Sequence, residues 1–368
     1  MATLPAHLVA TPVLERLAAG LRGELEGVVL GVGATAAWVD LDGFVLAITT
    51  REVPLLPNAI AVAAGPGALV RAGAGSGGTA RLAPGRVTLG PLQVTWDPTT
   101  PPSWDPTIPV PAGVTRQAIG ARGAALLRAL GCGPAPGAAT GVSTAVEGAV
   151  DNRARPISRS ATLPLWGPEH PEGAEAHALV RKPVRERGRA RAPELVRERG
   201  RARARELVRE LGRIGLATAA DPGGAAGLTL LFQAVAERDP APAAEAVRAL
   251  LGRGPGLTPE GDDLLAAVAG TLAVLGPVTV PDAQTLGAVL AAPAPIPGRT
   301  TALSATLLAL ALERRLPEPA GRLLDLSDGG EPAWPAALAR LERLGHGSGR
   351  AYAAGIAATA SLLAAADR

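Results

Sequence analysis

The pattern of hydrophobic and polar positions changes along the chain. Between residues 27 and 96, short apolar runs alternate with Gly, Pro and Asp, which is typical of β-strands and tight turns. We predict strands at 27–32, 36–41, 44–48, 59–63, 87–89 and 92–96, with a hairpin turn at Asp42-Gly43. We expect a meander that forms a small barrel or a sandwich.

Outside this region the apolar positions recur at helical spacing. Leu14, Leu17 and Leu21 predict a short helical lead-in within 1–26, and a further helix is predicted around 115–130. From about residue 205 the pattern predicts helices at 204–213, 225–237, 241–251, 259–275, 282–292, 300–314, 318–325, 332–344 and 349–366. The predicted fold class is therefore α+β, with a β-rich N-terminal meander or barrel-like domain followed by an Ala/Leu-rich helical domain.

These patterns divide the chain into four parts. We predict a β-rich domain at 1–112, a helix with a Gly/Pro-rich connection at 113–180, an Arg-rich repeat insert at 181–213 and a helical domain at 214–368. The insert contains two nearly identical 12-residue copies, 184–195 and 196–207, which differ only at Pro193 and Arg205. Two copies are too few for a solenoid, so we interpret them as a recent duplication that forms a solvated helical or disordered insert.

Charge and composition narrow the range of possible functions. Residues 181–213 hold 13 Arg and Lys against 5 Glu, whereas the rest of the chain holds 23 basic and 28 acidic residues. Nucleic-acid binding through this insert is a low-ranked alternative, because Arg and Glu interleave and the chain has only one Tyr to stack on bases. The single Cys132 excludes an intrachain disulfide and a multi-cysteine zinc site.

The apolar stretches 264–275 and 301–312 are shorter than the roughly 20 residues that a membrane span needs. The first 15 residues lack a basic region followed by an apolar run, so no signal peptide is expected. We therefore expect a soluble, cytoplasmic protein that does not associate with membranes.

The loop at 252–263 is the strongest candidate for a ligand site. Gly252, Gly254 and Gly256 permit backbone angles that bring amides close to a ligand, while Thr258 and Pro259 fit the N-cap and first position of a helix. Such a turn into a helix N-terminus suits phosphate or carboxylate. Arg253 could add a bidentate contact.

Three carboxylates follow in the first helical turn, at Glu260, Asp262 and Asp263. They favour the helix dipole but repel an anion. A ligand with both an acceptor end and a donor end would reconcile these facts, with Asp262 or Asp263 orienting a substrate N–H. A bridging divalent cation is an open alternative, although no set of metal ligands is evident and no metal site is predicted. Capping alone is the third interpretation.

Two further segments could contribute to a ligand site. Gly345-His346-Gly347-Ser348-Gly349 precedes the last helix, where Ser348 can be the N-cap and His346 a proton carrier. It lacks the preceding strand of a nucleophile elbow, so it is interpreted as a binding loop. Arg299, Thr300, Thr301 and Ser304 open another helix and could hold an anion, with ordinary capping equally plausible.

Together these segments resemble the AllH-like family. Its hallmark is a Gly-rich loop followed by Leu-Thr-Pro-Ser-Gly-Asp-Asp, which stands here at 254–263, and a Gly-His-Thr-Ser-Gly motif, which stands here at 345–349. A Thr/Ser-rich helix start matches Thr300, Thr301 and Ser304. Glu260 replaces the usual Ser and Gly347 the usual Thr, so two hydroxyls of the family's motifs are missing.

The resemblance implies a subunit of a carbamoyltransferase that acts in allantoin and purine breakdown. The reaction is oxalurate plus phosphate giving oxamate and carbamoyl phosphate, or the reverse. It implies a small carboxylate–amide ligand, phosphate and two partner subunits. Candidate catalytic residues are then His346, Asp262 and Asp263; the candidate binding residues are Gly254, Gly256, Leu257, Thr258, Gly261, Arg299, Thr300, Thr301, Ser304, Gly347 and Ser348. A non-catalytic metabolite-binding or assembly subunit is the main alternative.

Overall fold

We describe the protein from a computed structural model, which covers residues 2–20, 23–132, 194–237, 239, 241–279, 298–326, 333–345 and 347–365. Residues 1–133 and 194–368 cluster into one compact unit. Its strands are β1 Ala2–Ala10, β2 Leu25–Val32, β3 Ala36–Leu41, β4 Phe44–Thr50, β5 Ala59–Val62, β6 Thr79–Ala83, β7 Arg86–Leu89, β8 Leu92–Thr95 and β9 Ser103–Trp104.

Twelve helices are described in these ranges. They are α1 Thr11–Ala19, α2 Ala68–Arg71, α3 Arg116–Ala129, α4 Glu194–Arg213, α5 Ala217–Ala220, α6 Pro222–Glu237, α7 Ala241–Leu250, α8 Glu260–Thr279, α9 Ala302–Leu312, α10 Glu318–Leu324, α11 Trp334–Leu341 and α12 Ser348–Ala365. The predicted α+β class, with a β-rich front and a helical back, is confirmed.

Eight strands close into a barrel. The hydrogen-bonded order is β5-β4-β3-β2-β6-β7-β8-β1, and β1 also pairs with β5, which closes the ring; β9 adds to β1. The β1–β8 and β4–β5 pairs are parallel, so the topology is not the simple meander that the hairpin signals predicted. The Asp42-Gly43 turn is confirmed, with φ values of 55° and 80° that suit a type I′ hairpin.

The predicted helical lead-in is wrong at its start. Residues Ala2–Ala10 form strand β1, and only Thr11–Ala19 is helical. Two of the apolar residues that predicted a helix, Leu14 and Leu17, do lie on α1. The strand before them depends on distant partners, since it pairs with both β5 and β8. Its pairing is therefore invisible to a local pattern.

Helix α8 lies at the centre of the helical region. The apolar stretch predicted at 264–275 is part of a 20-residue helix in which every residue from Gly261 to Leu272 is buried. It is the one helix of the described ranges long and apolar enough to cross a membrane, but 83% of its most apolar window is buried inside the protein. A Cβ on Gly355 of α12 would lie 2.6 Å from Cβ of Ala267, so glycine permits these two helices to approach closely.

The second copy of the Arg-rich repeat is not a solvated insert. Residues 194–213 form α4, and Ala204, Leu207 and Leu211 are fully buried in the helical core. These three residues recur at helical spacing and face inward, while Arg199, Arg205 and Arg209 are exposed. Residues 184–193 of the first copy and the predicted helix at 282–292 lie outside the described residues.

The barrel contacts the helical region through the outer face of β3 and β4. Val45 of β4 packs with Leu303 and Leu307 of α9, and its backbone N–H donates to Thr306 Oγ1 at 2.9 Å. This junction lies next to the start of α9, so the barrel helps to place one of the segments predicted to bind a ligand.

Candidate functional site

The glycine-rich loop connects the end of α7 to the start of α8. Gly252, Gly254 and Gly256 have φ values of 73°, 115° and 99°, which L side chains rarely adopt. The helix begins at Glu260, one residue later than predicted. Thr258 does not cap it, because its hydroxyl pairs with Ser348 Oγ at 2.9 Å. The loop therefore has the backbone that its glycines predicted, but a different use for its threonine.

The tip of this loop faces solvent. Residues 254–257 are exposed, and the Leu257 side chain is 51% exposed. Within the described ranges, the backbone amides of Gly254, Gly256 and Leu257 donate to no backbone acceptor. The prediction that these amides bind an anionic or carbonyl ligand stays a prediction.

Asp262 joins two loops beneath this tip. It is buried, and its Oδ1 accepts the Gly252 N–H at 2.7 Å while its Oδ2 accepts the Thr300 hydroxyl. Burial raises the pKa of Asp262, and these two donors together with the nearby Ser304 hydroxyl partly oppose that rise. Because both of its oxygens already accept hydrogen bonds, Asp262 acts first as a link between the loops.

Asp263 has spare hydrogen-bonding capacity. Its side chain is 2% exposed, and its Oδ2 has no hydrogen-bond partner among the described residues. Burial raises the pKa of Asp263 well above its usual range, and the charges of Asp262 and Glu260 raise it further, whereas the Ser348 and Thr258 hydroxyls lower it. A buried polar atom without a partner is uncommon in folded proteins and marks a candidate functional group.

The buried Tyr352 lies close to both carboxyl groups. Burial raises the pKa of its phenol well above the usual range, and the charges of Asp263 and Asp262 add to the rise. Tyr352 was not among the predicted site residues. Its position four residues after Ser348, on the same face of the same helix, is the one sequence signal that could have identified it.

The starts of three helices meet at this point. Thr258 contacts Ser348 at the start of α12, while the Thr301 hydroxyl, at the start of α9, donates to the Leu257 carbonyl at 2.6 Å. Thr301 is also the N-cap of α9 and accepts from Ser304 N at 3.1 Å. The positive dipole ends of α8, α9 and α12 therefore surround the two carboxyl groups, which offsets part of the cost of burying them.

Three residues in or near the site, Arg253, Arg299 and Gly261, make contacts other than those predicted. The Arg253 guanidinium pairs with Asp221, and the Arg299 guanidinium donates to the Arg248 carbonyl at 2.7 Å. Both guanidinium groups therefore bind partners within the protein. The Gly261 N–H donates to the Arg253 carbonyl at 2.9 Å and offers nothing to a ligand. Gly261 is needed for close packing, since a Cβ there would overlap the carbonyl oxygen of Leu250.

Glu260 does not place its charge in the site. Its Oε1 accepts the Thr218 N–H at 2.6 Å and its Oε2 accepts the Ala217 N–H at 3.2 Å. The carboxylate therefore caps the short helix α5, as acidic side chains do at helix starts. Glu260, which stands where the family hallmark has Ser, therefore has its partners outside the loop. Its carboxylate does not take the place of the serine hydroxyl as a ligand-binding group.

The last predicted segment is described in part. Gly347 is exposed, with no atom within 4 Å of where a Cβ would stand, and Ser348 begins α12. His346 lies outside the described residues, so its predicted role as a proton carrier stays a prediction. In the described part of the chain, no group of three or more His, Cys, Asp or Glu side chains is arranged to hold a metal ion.

Fold and site together define a protein with an eight-stranded barrel, a helical region and a polar candidate site where three helix starts meet. The family model of the oxamate carbamoyltransferase subunit AllH matches residues 250–360. This confirms the resemblance over the segment that contains α8, α9 and most of α12, and thus all the predicted site residues. Comparisons with curated proteins and with solved structures found no significant match.

Proposed function

We propose that the protein is a subunit of a carbamoyltransferase-type complex that binds a small ureido or amide carboxylic acid, such as oxamate or oxalurate, together with phosphate or carbamoyl phosphate. The AllH family match over 250–360 supports the subunit class. The observation that carries the ligand class is the position of an unpartnered, buried carboxyl oxygen of Asp263 in the first turn of α8, the helix into which the glycine-rich loop leads.

The two kinds of group suit the two ends of such a ligand. Loop amides and helix dipoles favour a carboxylate, a phosphate or a carbonyl oxygen that gains negative charge. Asp263 Oδ2 can accept an N–H of a carbamoyl or ureido group when ionised, or donate to its carbonyl oxygen when protonated. Inorganic phosphate can use the loop amides, but it lacks the carbamoyl group that Asp263 would orient.

In carbamoyl transfer, a nucleophile adds to the carbamoyl carbon and the carbonyl oxygen becomes an oxyanion. Donors fixed before the reaction stabilise this oxyanion without rearranging. The amides of Gly254, Gly256 and Leu257 are held by the loop's positive φ angles and by the Thr301 hydroxyl on the Leu257 carbonyl. We assign the oxyanion contact to these amides and the orientation of the carbamoyl group to Asp263.

Isothermal titration of the full chain with oxamate, carbamoyl phosphate and inorganic phosphate tests this proposal. We expect binding of the first two ligands, and a loss of at least tenfold in Asp263→Asn, because the NH₂ group that replaces one carboxyl oxygen cannot accept an N–H of the ligand. The matched control is Asp97→Asn, on an exposed carboxylate of the barrel. Absence of binding, both to the chain and to the complex it purifies with, would refute the proposal.

A second candidate is a metabolite-binding or assembly subunit without its own catalytic groups. The observation that favours it is the burial of both carboxyl groups beneath a loop whose exposed tip carries Leu257, a side chain suited to a partner surface. Turnover separates the two candidates. A catalytic subunit loses turnover at saturating ligand in Asp263→Asn, whereas an assembly subunit with Leu257→Ser loses co-purification of its partner chains.

A further inference from the structure

The barrel presents one aromatic side chain toward the helix starts that form the site. Trp38 lies on β3 between Ala37 and Val39, which are fully buried in the barrel core. Since alternate residues of a strand face opposite sides, Trp38 points outward, toward the helical region. It is partly exposed there, so its indole is not enclosed by the core.

Trp38 packs against two small apolar clusters at once. One consists of Val45, Leu303 and Leu307, with Ala302 beside it. The other consists of Ala47, Leu56 and Ala59, with Leu344 beside it. Trp38 therefore bridges the start of α9 and the segment before α12.

Each cluster packs against a residue that is next to the candidate site in the sequence. Ala302 follows Thr301, whose hydroxyl holds the Leu257 carbonyl, and Leu344 precedes Gly345, where a Cβ would lie 3.3 Å from Ser348 Oγ. The loop at 254–258 is tied to the same two helix starts through Thr301 and Ser348. The segments beside Trp38 are therefore continuous in the chain with the two helix starts that hold the loop.

One observation indicates that the helix starts beside Trp38 take a ligand. Asp263 is 2% exposed and has a carboxyl oxygen without a partner among the described residues, and the Thr258 and Ser348 hydroxyls lie beside its carboxyl group. Ligand sites often combine a few placed polar groups with an apolar or aromatic wall, and they often lie where two parts of a fold meet.

We propose that Trp38 is a binding residue of this site, and that its indole face contacts the planar carbamoyl or ureido group of the ligand. This inference rests on the proposed function. The loop amides would then bind the anionic end, which phosphate shares, whereas Trp38 would select for the flat amide end, which phosphate lacks. Specificity in this protein would come from the barrel and not only from the segment that matches the AllH family.

The test compares ligands with and without an amide. We expect Trp38→Leu, in the full chain, to weaken oxamate and carbamoyl phosphate binding roughly three- to tenfold, as for the loss of a favourable aromatic contact, and to leave the Kd of inorganic phosphate within about twofold. Trp38→Phe should recover most of the affinity. The matched control is Trp104→Leu, since Trp104 is also partly exposed but packs against the barrel core.

Tryptophan fluorescence gives a second readout. Oxamate should change the emission of the wild type and of Trp104→Leu, but not that of Trp38→Phe, which also serves if Trp38→Leu does not fold. Unchanged amide affinity in the Trp38 variants, an equal loss of phosphate affinity, or an oxamate-induced change that persists in Trp38→Phe would overturn the role of Trp38 and leave the proposed function standing. Absence of all binding to the wild type, alone and in its complex, would overturn both.

Discussion

Asp262 should be the principal structural link of the site, and its replacement by alanine tests this directly. The substitution leaves the Gly252 N–H and the Thr300 hydroxyl without their acceptor. A buried group that loses its only partner costs about 1–3 kcal/mol, so two groups set an upper range of about 2–6 kcal/mol. Both donors are only partly buried, so water can replace part of the loss.

A second effect acts in the opposite direction. Burial raises the pKa of Asp262, which means that the folded protein bears a cost for holding this carboxylate in its charged form. Removal of the side chain relieves that cost. We therefore expect Asp262→Ala to lower the free energy of unfolding by about 2 kcal/mol, near the lower end of the range for two lost partners.

Urea denaturation at neutral pH, followed by far-ultraviolet circular dichroism, measures this change. Asp262→Asn is the matched variant, because its amide oxygen can still accept the Gly252 N–H; it should lose less than half as much stability. If the free energy of unfolding of Asp262→Ala lies within about 0.5 kcal/mol of the wild-type value, as is usual for surface substitutions, then Asp262 does not hold the loops together.

Three further changes test other parts of the site. Burial raises the pKa of Asp263, so the folded protein binds its proton more tightly than the unfolded chain and loses stability as the pH rises from about 4 through the folded pKa. Asp263→Asn should therefore match the wild type in free energy of unfolding near pH 4 and exceed it at pH 8. The same difference between variant and wild type at both pH values would contradict this. Gly261→Ala forces a Cβ onto the Leu250 carbonyl and should lower stability by about 1–3 kcal/mol in thermal melts, whereas Gly75→Ala, in open space, should have no effect. Glu260→Ser removes the cap of α5 and should cost about 1 kcal/mol in urea while the oxamate Kd, measured by calorimetry, stays within twofold; a tenfold change in Kd would place Glu260 in the ligand site after all.

The comparison of Glu260 with Asp262 shows what a motif leaves open. Both acidic residues were predicted to lie in the first turn of one helix, and both predictions are correct. Their partners are the backbone at 217 and 218 in one case and Gly252 with Thr300 in the other. These partners lie 42 and 43 residues before Glu260 in one case, and 10 residues before and 38 residues after Asp262 in the other, so no local pattern could have distinguished a helix cap from a link between loops.

The sequence by itself determined the features that depend on neighbours along the chain. Helical spacing predicted most of the helices, the Asp42-Gly43 pair predicted its hairpin, and the glycines at 252–256 predicted a loop with positive φ angles. Each of these follows from the local stereochemistry of a few residues.

The tertiary structure alone decided the features that depend on long-range contacts. It closed the barrel through β1, buried α4 against the helical core, paired Arg253 with Asp221 and directed Arg299 to the Arg248 carbonyl. It also placed Trp38 against the cluster at the start of α9 and against the cluster that packs with Leu344. Strand pairing and side-chain partners are set by packing between distant segments, because burial and hydrogen bonding reward whichever groups meet in space, irrespective of their separation in sequence.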